Sequence, residues 1–596
     1  MPTDSKEAAS VSTMPASGML TSAIARDPRD GTPLVVGVTS HRNLPSDQVE
    51  PVRRRVREFF AGLREEFPEF PLVVLSPLAE GGDQWVAEEA LSVGARLIAP
   101  LPMSRELYVE DFADPAARVN FDRLCAMAEV VEIPELVGVA SPSRTGIADE
   151  ERDQRYAQTG MYVSDHAHIL LAVWDGKDSS MLGGTAQIVR YHLSGIKPSY
   201  AKRRRSEAHV LGDENERLVY HIVCSRDQAG GEPAPALRAL DVWWRAGADA
   251  SPGSSEMPES LRSMLASARE FAEDARKYAA RIEAAAKREA RRDGRHPDLA
   301  SERWFAPADW LARHFQRRVL LSMRVLYTMA AMMAISFAAY DNLPAHDEMI
   351  FVFLLLFVLG GSVALLANRR GWHRKYLDYR ALAEGLRVQS YWHRAGLSLA
   401  DDPQFGRDNF LQKQDVELGW VRNAMRFCGI ENDLGGKHGS AEEMQAVIGE
   451  WIGDNMQPGQ LGYYRSKGEQ RTRTHRLTEL IGRVCLIAGV GLSVVLALLV
   501  YRLSNEAKND LIVLMAVFSV IAGVRSAYAH KKADKELIKQ YRYMQRIFGE
   551  ARDALDHAVD TEECRDILRQ LGEAALAEQV EWTLMHRQRP LEHNRI

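Results

Sequence analysis

The 596-residue chain is too long for one hydrophobic core, so several domains are expected. A formal net charge of −6, with 26 % charged and 46 % hydrophobic residues, is ordinary globular composition; it carries no basic footprint for nucleic acid, and none is expected as a partner. Five cysteines (Cys125, Cys224, Cys428, Cys485 and Cys564) stand far apart without a CxxC pair, which points to free thiols in a reducing compartment.

In chain order, residues 1–30 are rich in Ser, Ala, Thr and Pro and lack a basic-then-apolar signal pattern; a disordered leader is expected. From residue 33, short apolar runs alternate with amphipathic stretches. "PLVVGVTS" precedes a charged helix over Val49–Glu66. "FPLVVLSPLAEGGD" precedes a helix over Trp85–Val93, and "ARLIAPLP" and "HILLAVWDG" follow. This alternation predicts a Rossmann-like α/β domain, a parallel sheet covered on both faces, over residues 31–230.

Ligands of such sheets collect beyond the carboxyl ends of the strands. The first strand end supplies Gly37, Thr39, Ser40, His41 and Arg42. The second supplies Glu80, Gly81, Gly82 and Asp83, and the last Asp175, Gly176, Gly183, Gly184 and Thr185. Glycines let a phosphate approach the backbone, and the free N–H groups of a helix start favour an anion. Arg42 offers a forked pair of donors, and the acidic residues suit ribose hydroxyls. Together they predict a nucleotide-type site. No metal is expected: Asp165, His166 and His168 in "SDHAHILL" have no further ligand cluster near them in sequence, and a helix-to-strand loop is the better reading. No Walker A, HExxH or GxSxG pattern occurs.

These segments resemble the SLOG superfamily through "VGVTSHRNL", "LSPLAEGGDQWVAEEAL", "LPMSRELYVEDF" and "LLAVWDGKDSSMLGGTAQIV", in that order. That family is related to the DprA fold and the Lonely-guy phosphoribohydrolases, and distantly to the amino-terminal region of TRPM channels. The resemblance implies binding of a nucleotide or its derivative, of the NAD/ADP-ribose or cyclic-nucleotide class, with no other cofactor. The hydrolase branch carries PGGxGTxxE. Here Ile188 stands at the catalytic glutamate's place and Leu182 at or near the proline's, leaving Glu80 or Asp83 as substitute carboxylates. A sensor with little turnover is therefore expected, with a membrane-anchored phosphoribohydrolase as the alternative. Ser40 stands where the related sensors have glycine.

Lys202–Arg205 ("KRRR") reads as a solvated loop that an anionic lipid surface would also attract. Residues 231–304 read as a linker dominated by a charged, alanine-rich helix over 252–292, either spacer or lever. It leads to "ERWFAPADWLARHFQRR", whose Trp304, Phe305, Trp310 and Phe315 suit an interfacial helix.

Four uncharged stretches follow: Val325–Tyr340, Met349–Ala367, Val484–Tyr501 and Leu511–Val524. A bilayer core needs about 17–25 helical residues, which the second and third supply and the others approach once flanking arginines snorkel. Arg313, Arg317 and Arg318 precede the first span and Arg369, Arg370, Arg374 and Lys375 follow the second. The same asymmetry flanks the second pair, whereas the connecting loops are short and acidic or mixed. The positive-inside rule then predicts four spans in the inner (cytoplasmic) membrane with both termini cytoplasmic.

The membrane region reads as a duplication. The Tyr379-Arg380 pair matches Tyr541-Arg542 at an offset of 541 − 379 = 162, and His314 matches His475 at 161. Units over 305–470 and 471–596 are expected, each a hairpin of two spans followed by an amphipathic helix. In the first unit Tyr376, Tyr379, Leu382, Ala383 and Leu386 form an apolar stripe. Such a stripe usually packs on a neighbouring helix, so a homo-oligomer is expected. The paired spans, "YRALAEGLR" and "WIGDNMQPGQLGYYRSKGEQR" resemble the SLATT membrane effectors of bacterial conflict systems. The resemblance implies an all-α pore-forming effector coupled to a nucleotide sensor in anti-phage defence; a ligand-controlled scaffold without conductance is the alternative.

Overall fold

The computed structural model describes residues 29, 31–133, 149–194, 217–247, 253–293, 299–343, 346–397, 418–435, 439–453 and 458–587. The leader (1–28), Lys202–Arg205 and the ends of several linkers lie outside them. The chain divides into two units: Met1–Lys202 with Glu214–Ala272, and Arg203–Asp213 with Glu273–Ile596.

The first unit is a seven-stranded sheet in the order β4-β3-β2-β1-β5-β6-β7. Strands β1 (Leu34–Ser40), β2 (Leu72–Leu75), β3 (Arg96–Leu101), β4 (Glu129–Glu132), β5 (Ile169–Trp174) and β6 (Leu218–Val223) are parallel, and β7 (Val242–Ala246) runs antiparallel at the edge. Strands β1, β2, β3 and β5 form from the four apolar runs. Their near-continuous burial is what a parallel sheet covered on both faces requires. The sheet continues past residue 230 into β7. Helix α1 (Ser46–Glu66) turns Val52, Val56, Phe59, Phe60 and Leu63 inward. Phe59 packs 4.2 Å from the Tyr220 ring. Helices α2 (Gly82–Ser92), α3 (Arg105–Val109), α4 (Pro115–Met127), α5 (Asp149–His166) and α6 (Thr185–Ser194) complete the layers. The strand order reverses between β1 and β5. That reversal opens the crevice in which such sheets hold ligands.

The second unit is all helix. The stretch expected as one helix is two, α7 (Glu259–Lys277, shared with the first unit) and α8 (Ala279–Asp293). Between them Tyr278 packs 5.5 Å from Trp310 and 4.6 Å from His314. The expected interfacial helix is instead the first half of α9 (Ala300–Asn342), which continues unbroken into the first span. Trp304 is fully buried against Phe427 and Phe315 against Tyr379, so both aromatics serve protein packing rather than a lipid interface.

Helix α10 (Met349–Arg369) returns, and α11 (Trp372–Arg394) follows. Its stripe from Tyr376 to Leu386 is buried within this chain, against α9, α12 (Gly419–Leu434) and α17 (Thr561–Arg587). The stripe is covered by the chain's own helices and needs no second copy. Helix α13 (Ala441–Val447), a π-helical turn (Ile448–Ile452), α14 (Gly459–Leu499), α15 (Asn505–Lys531) and α16 (Asp534–His557) lead to α17.

Four helices are long and apolar enough to cross a membrane. Their apolar side chains face outward: in α10 only Leu356 and Ala367 are buried, in α14 only Cys485, and in α15 none. Water would penalise so continuous an apolar surface, and hydrocarbon does not. The chain is a multi-pass membrane protein.

Candidate functional site

The crevice between the ends of β1 and β5 brings together residues from all three sequence-predicted strand ends. Ser40 Oγ donates to Asp83 Oδ1 at 2.8 Å, tying the end of β1 to the start of α2. His41 Nε2 lies 3.2 Å from Asp175 Oδ1, close enough for an ion pair though not aligned as a hydrogen bond. Arg42, exposed at the rim, places its guanidinium 5.4 Å from the centroid of the Tyr156 ring.

Tyr156, on α5, is the common neighbour. A Cβ on Gly183 would stand 2.8 Å from Tyr156 Cβ, so the loop after β5 packs on the residue that Arg42 stacks over. Asp111 accepts hydrogen bonds from the Tyr156 hydroxyl and from Arg152. Tyr108 is fully buried 5.9 Å from the Tyr156 ring, and its hydroxyl has no hydrogen-bond partner. An orphaned hydroxyl at a strand-end crevice is the kind of donor a ligand satisfies.

The electrostatics follow from burial. Asp83, 3 % exposed, is pushed up to about 7 by desolvation, against the Ser40 hydrogen bond and the Arg42 charge. Burial pushes Tyr108 well up, and it pushes Tyr156 up to about 12, aided by the Asp111 hydrogen bond. Both phenols are neutral donors at neutral pH. Burial works upward on Asp175 too, but the His41 ring and the Lys177 amide outweigh it and hold the carboxyl below its usual value.

The glycines divide differently from the sequence expectation. Gly37 lies inside β1, where a Cβ would meet Ala167 and Val163 of the α5 region at 2.8 Å. Gly81 has φ +94°, and its Cβ would fall 2.2 Å from the Arg42 carbonyl oxygen; that of Gly82 would fall 2.5 Å from Ser40 Oγ. Gly176 abuts Leu237 at 2.3 Å. At these positions, as at Gly183, the close approach that glycine permits is by the protein itself. Gly184 alone of the set has its nearest neighbour, Met181 O, at 3.4 Å. Behind it, Thr185 and Ala186 open α6 with amides that have no carbonyl one turn earlier in the helix. The Gly183 amide is taken by Gln187 Oε1 at 2.6 Å.

Glu80 is committed elsewhere: its carboxylate accepts from the amides of Ala113 and Asp114 at 2.9 and 2.8 Å and holds the α3–α4 loop. Thr39 lies within β1, paired in register with Ala172. Ile188 is 3 % exposed and seated on Gly160 of α5, whose Cβ would stand 2.3 Å from Ile188 Cδ1. His166 ends α5, and His168 accepts from the Val35 amide at 3.1 Å. Among the described residues no His, Cys, Asp and Glu group could hold a metal.

Tyr108, Asp111, Arg152 and Tyr156 were not legible as site residues. Tyr108 and Asp111 fall inside "LPMSRELYVEDF", but only the tertiary packing of α3 and α5 brings them to the strand ends. The fold defines a doubly wound α/β domain with these polar residues gathered at the strand ends of its switch point, on a chain with four helices long and apolar enough to cross a membrane. Comparison with protein families, curated proteins and solved structures returned no match.

Proposed function

We propose that this protein is a membrane-embedded sensor–effector. Its α/β domain binds a nucleotide-derived signal of the NAD/ADP-ribose or cyclic-nucleotide class without turnover. The observation that carries this reading is the convergence on Tyr156: an exposed arginine stacked over it, the Gly183-Gly184 turn packed beside it, and the orphaned Tyr108 hydroxyl next to it. In this reading Arg42 and the α6 amides take the phosphate, while Tyr108, and Asp83 in its protonated form, donate to the sugar or base. The buried Ile188 supports a sensor over a phosphoribohydrolase, because no carboxylate occupies that position.

The SLOG-like and SLATT-like resemblances extend the proposal to the output. Ligand triggers the spans, in the inner membrane with both termini cytoplasmic, to form a weakly selective pore that depolarises the cell in anti-phage defence. Four spans cannot readily enclose a wide pore, so the conducting state is built from several copies. The test uses the full chain in nanodiscs and planar bilayers with NAD, ADP-ribose, cyclic nucleotides and nucleoside monophosphates. One class is expected to bind, weakened 10-fold or more by Arg42→Ala, and to induce conductance. Release of free base would favour the hydrolase. Binding with silent bilayers would favour a scaffold, and no binding of any phosphate-bearing nucleotide would remove the sensor.

A further inference from the structure

A cavity with polar and apolar walls lies within the helical unit, at the basic end of the four spans. It measures about 370 Å³, within the roughly 300–1,000 Å³ of small-ligand sites. Three of the membrane-crossing helices, α9, α14 and α15, contribute to it, together with α11, which follows the remaining one, α10. Leu320 and Met323 come from α9 just before the uncharged stretch, the helix after α10 supplies Arg380 and Arg387, α14 supplies Arg471, and α15 with its following turn supplies Lys531 and Lys532. At about 1.5 Å of rise per residue, Leu320 and Met323 stand within about 8 Å of the hydrocarbon edge.

Six cationic side chains line the space: Arg313, Arg380, Arg387, Arg471, Lys531 and Lys532. Several of them share a carboxylate. Arg380 and Arg387 share Glu384, Arg313 and Arg380 share Asp309, and Arg471 and Lys532 share Asp534. The remaining lining acid, Glu578, is pushed up to about 7 by burial and by the neighbouring Glu384, so it is only partly ionised at neutral pH. The buried Arg387 Nε has no hydrogen-bond acceptor. Tyr464 and Tyr541 also line the wall, and burial holds both phenols protonated as donors. Donors and cations in excess below, with apolar side chains above at the bilayer edge, match an amphipathic anion.

We propose that this cavity is a binding site for the phosphate headgroup of an anionic phospholipid, the acyl chains leaving along Leu320 and Met323. Basic pockets between spans recognise such headgroups through the desolvated phosphate, whereas a zwitterionic headgroup carries its own ammonium and gains less.

The test uses the full chain in nanodiscs of phosphatidylglycerol or phosphatidylcholine with matched acyl chains, and native mass spectrometry counts the lipids retained. Phosphatidylglycerol is expected to be retained at least tenfold better. The Arg387→Gln/Arg471→Gln double variant should lose that preference, whereas Arg369→Gln/Arg370→Gln, which removes basic residues flanking the span outside the cavity, should keep it. Should the first variant fail to fold, Lys531→Gln/Lys532→Gln carries the same expectation. Equal retention of the two lipids overturns the proposal, as does equal loss in the flanking control. So does tight binding of soluble glycerol 3-phosphate without lipid preference.

Discussion

Gly371 and Ala533 stand 162 residues apart, and both adopt the left-handed conformation, with φ of +56° and +51°. Each closes a membrane-crossing helix and opens the helix after it. The hydrogen bonds repeat as well. Gly371 N donates to Asn368 O at 2.8 Å and Arg370 N to Leu366 O at 3.1 Å; Ala533 N donates to His530 O at 3.0 Å and Lys532 N to Tyr528 O at 3.1 Å. The offset equals that of the Tyr-Arg pairs, and the succession of long helix, returning helix and turned helix is shared. The two turns share this geometry, but only the first is made by glycine.

That difference predicts opposite signs. An alanine in the left-handed region costs about 1–2 kcal/mol, partly offset by the entropy glycine loses on folding. Gly371→Ala is expected to destabilise the detergent-solubilised protein by about 1 kcal/mol. Ala533→Gly should stabilise it by a similar or smaller amount, read as shifts in thermal midpoint. Shifts of the same sign would show that the two turns do not bear equivalent strain.

The glycines of the crevice separate folding from binding. Gly81→Ala places a Cβ 2.2 Å from a carbonyl oxygen at φ +94° and is expected to lower the thermal midpoint markedly. A Cβ at Gly184 meets nothing closer than 3.4 Å, so Gly184→Asp begins from ordinary contact distance. It should fold normally and abolish binding of a phosphate-bearing ligand by like-charge repulsion, as circular dichroism and equilibrium dialysis would record.

Asp83 makes stability and ligand affinity depend on pH. Its folded-state value near 7 lies above its unfolded one, so the native state binds the extra proton. The contribution is favourable below about pH 4 and is lost as pH rises through 7. Asp83→Asn keeps the acceptor for Ser40 without the charge. It should raise the thermal midpoint most at pH 8, by less at pH 5 and hardly at all near pH 3, and remove the fall in phosphate-ligand affinity between pH 6 and 8.

The outward faces of the spans are tested by charge. Leu355 and Ile487 are 59 % and 71 % exposed in the chain. Leu355→Arg or Ile487→Arg is expected to cost about 2.5–3.5 kcal/mol of insertion, seen as a fall in the membrane-integrated fraction. An arginine at the already exposed Tyr501, in the short loop between α14 and α15, should be tolerated.

Strands β1, β2, β3 and β5 were legible because each is a short apolar run, as central parallel strands must be. The edges were not. β4 is "EVVE", four residues with glutamates at both ends, and β7 is "VWWRA", an antiparallel strand whose arginine breaks the apolar pattern. Arg42, Asp83 and Asp175 were readable from their places at strand ends. Tyr156 lies eight residues into α5 and became a site residue only through packing. The buried stripe of α11 was visible as periodicity, but a period cannot say whether the covering helix belongs to the same chain.

The seat of Ile188 on Gly160 has an evolutionary reading. A glutamate at 188 would have to bury its charge against α5 in a space shaped for a branched aliphatic chain. Enlarging Gly160 first would collide with the isoleucine already there. Neither single substitution opens a tolerated route toward a carboxylate at this position. A carboxylate at position 188 would therefore need coordinated changes on two helices, α5 and α6.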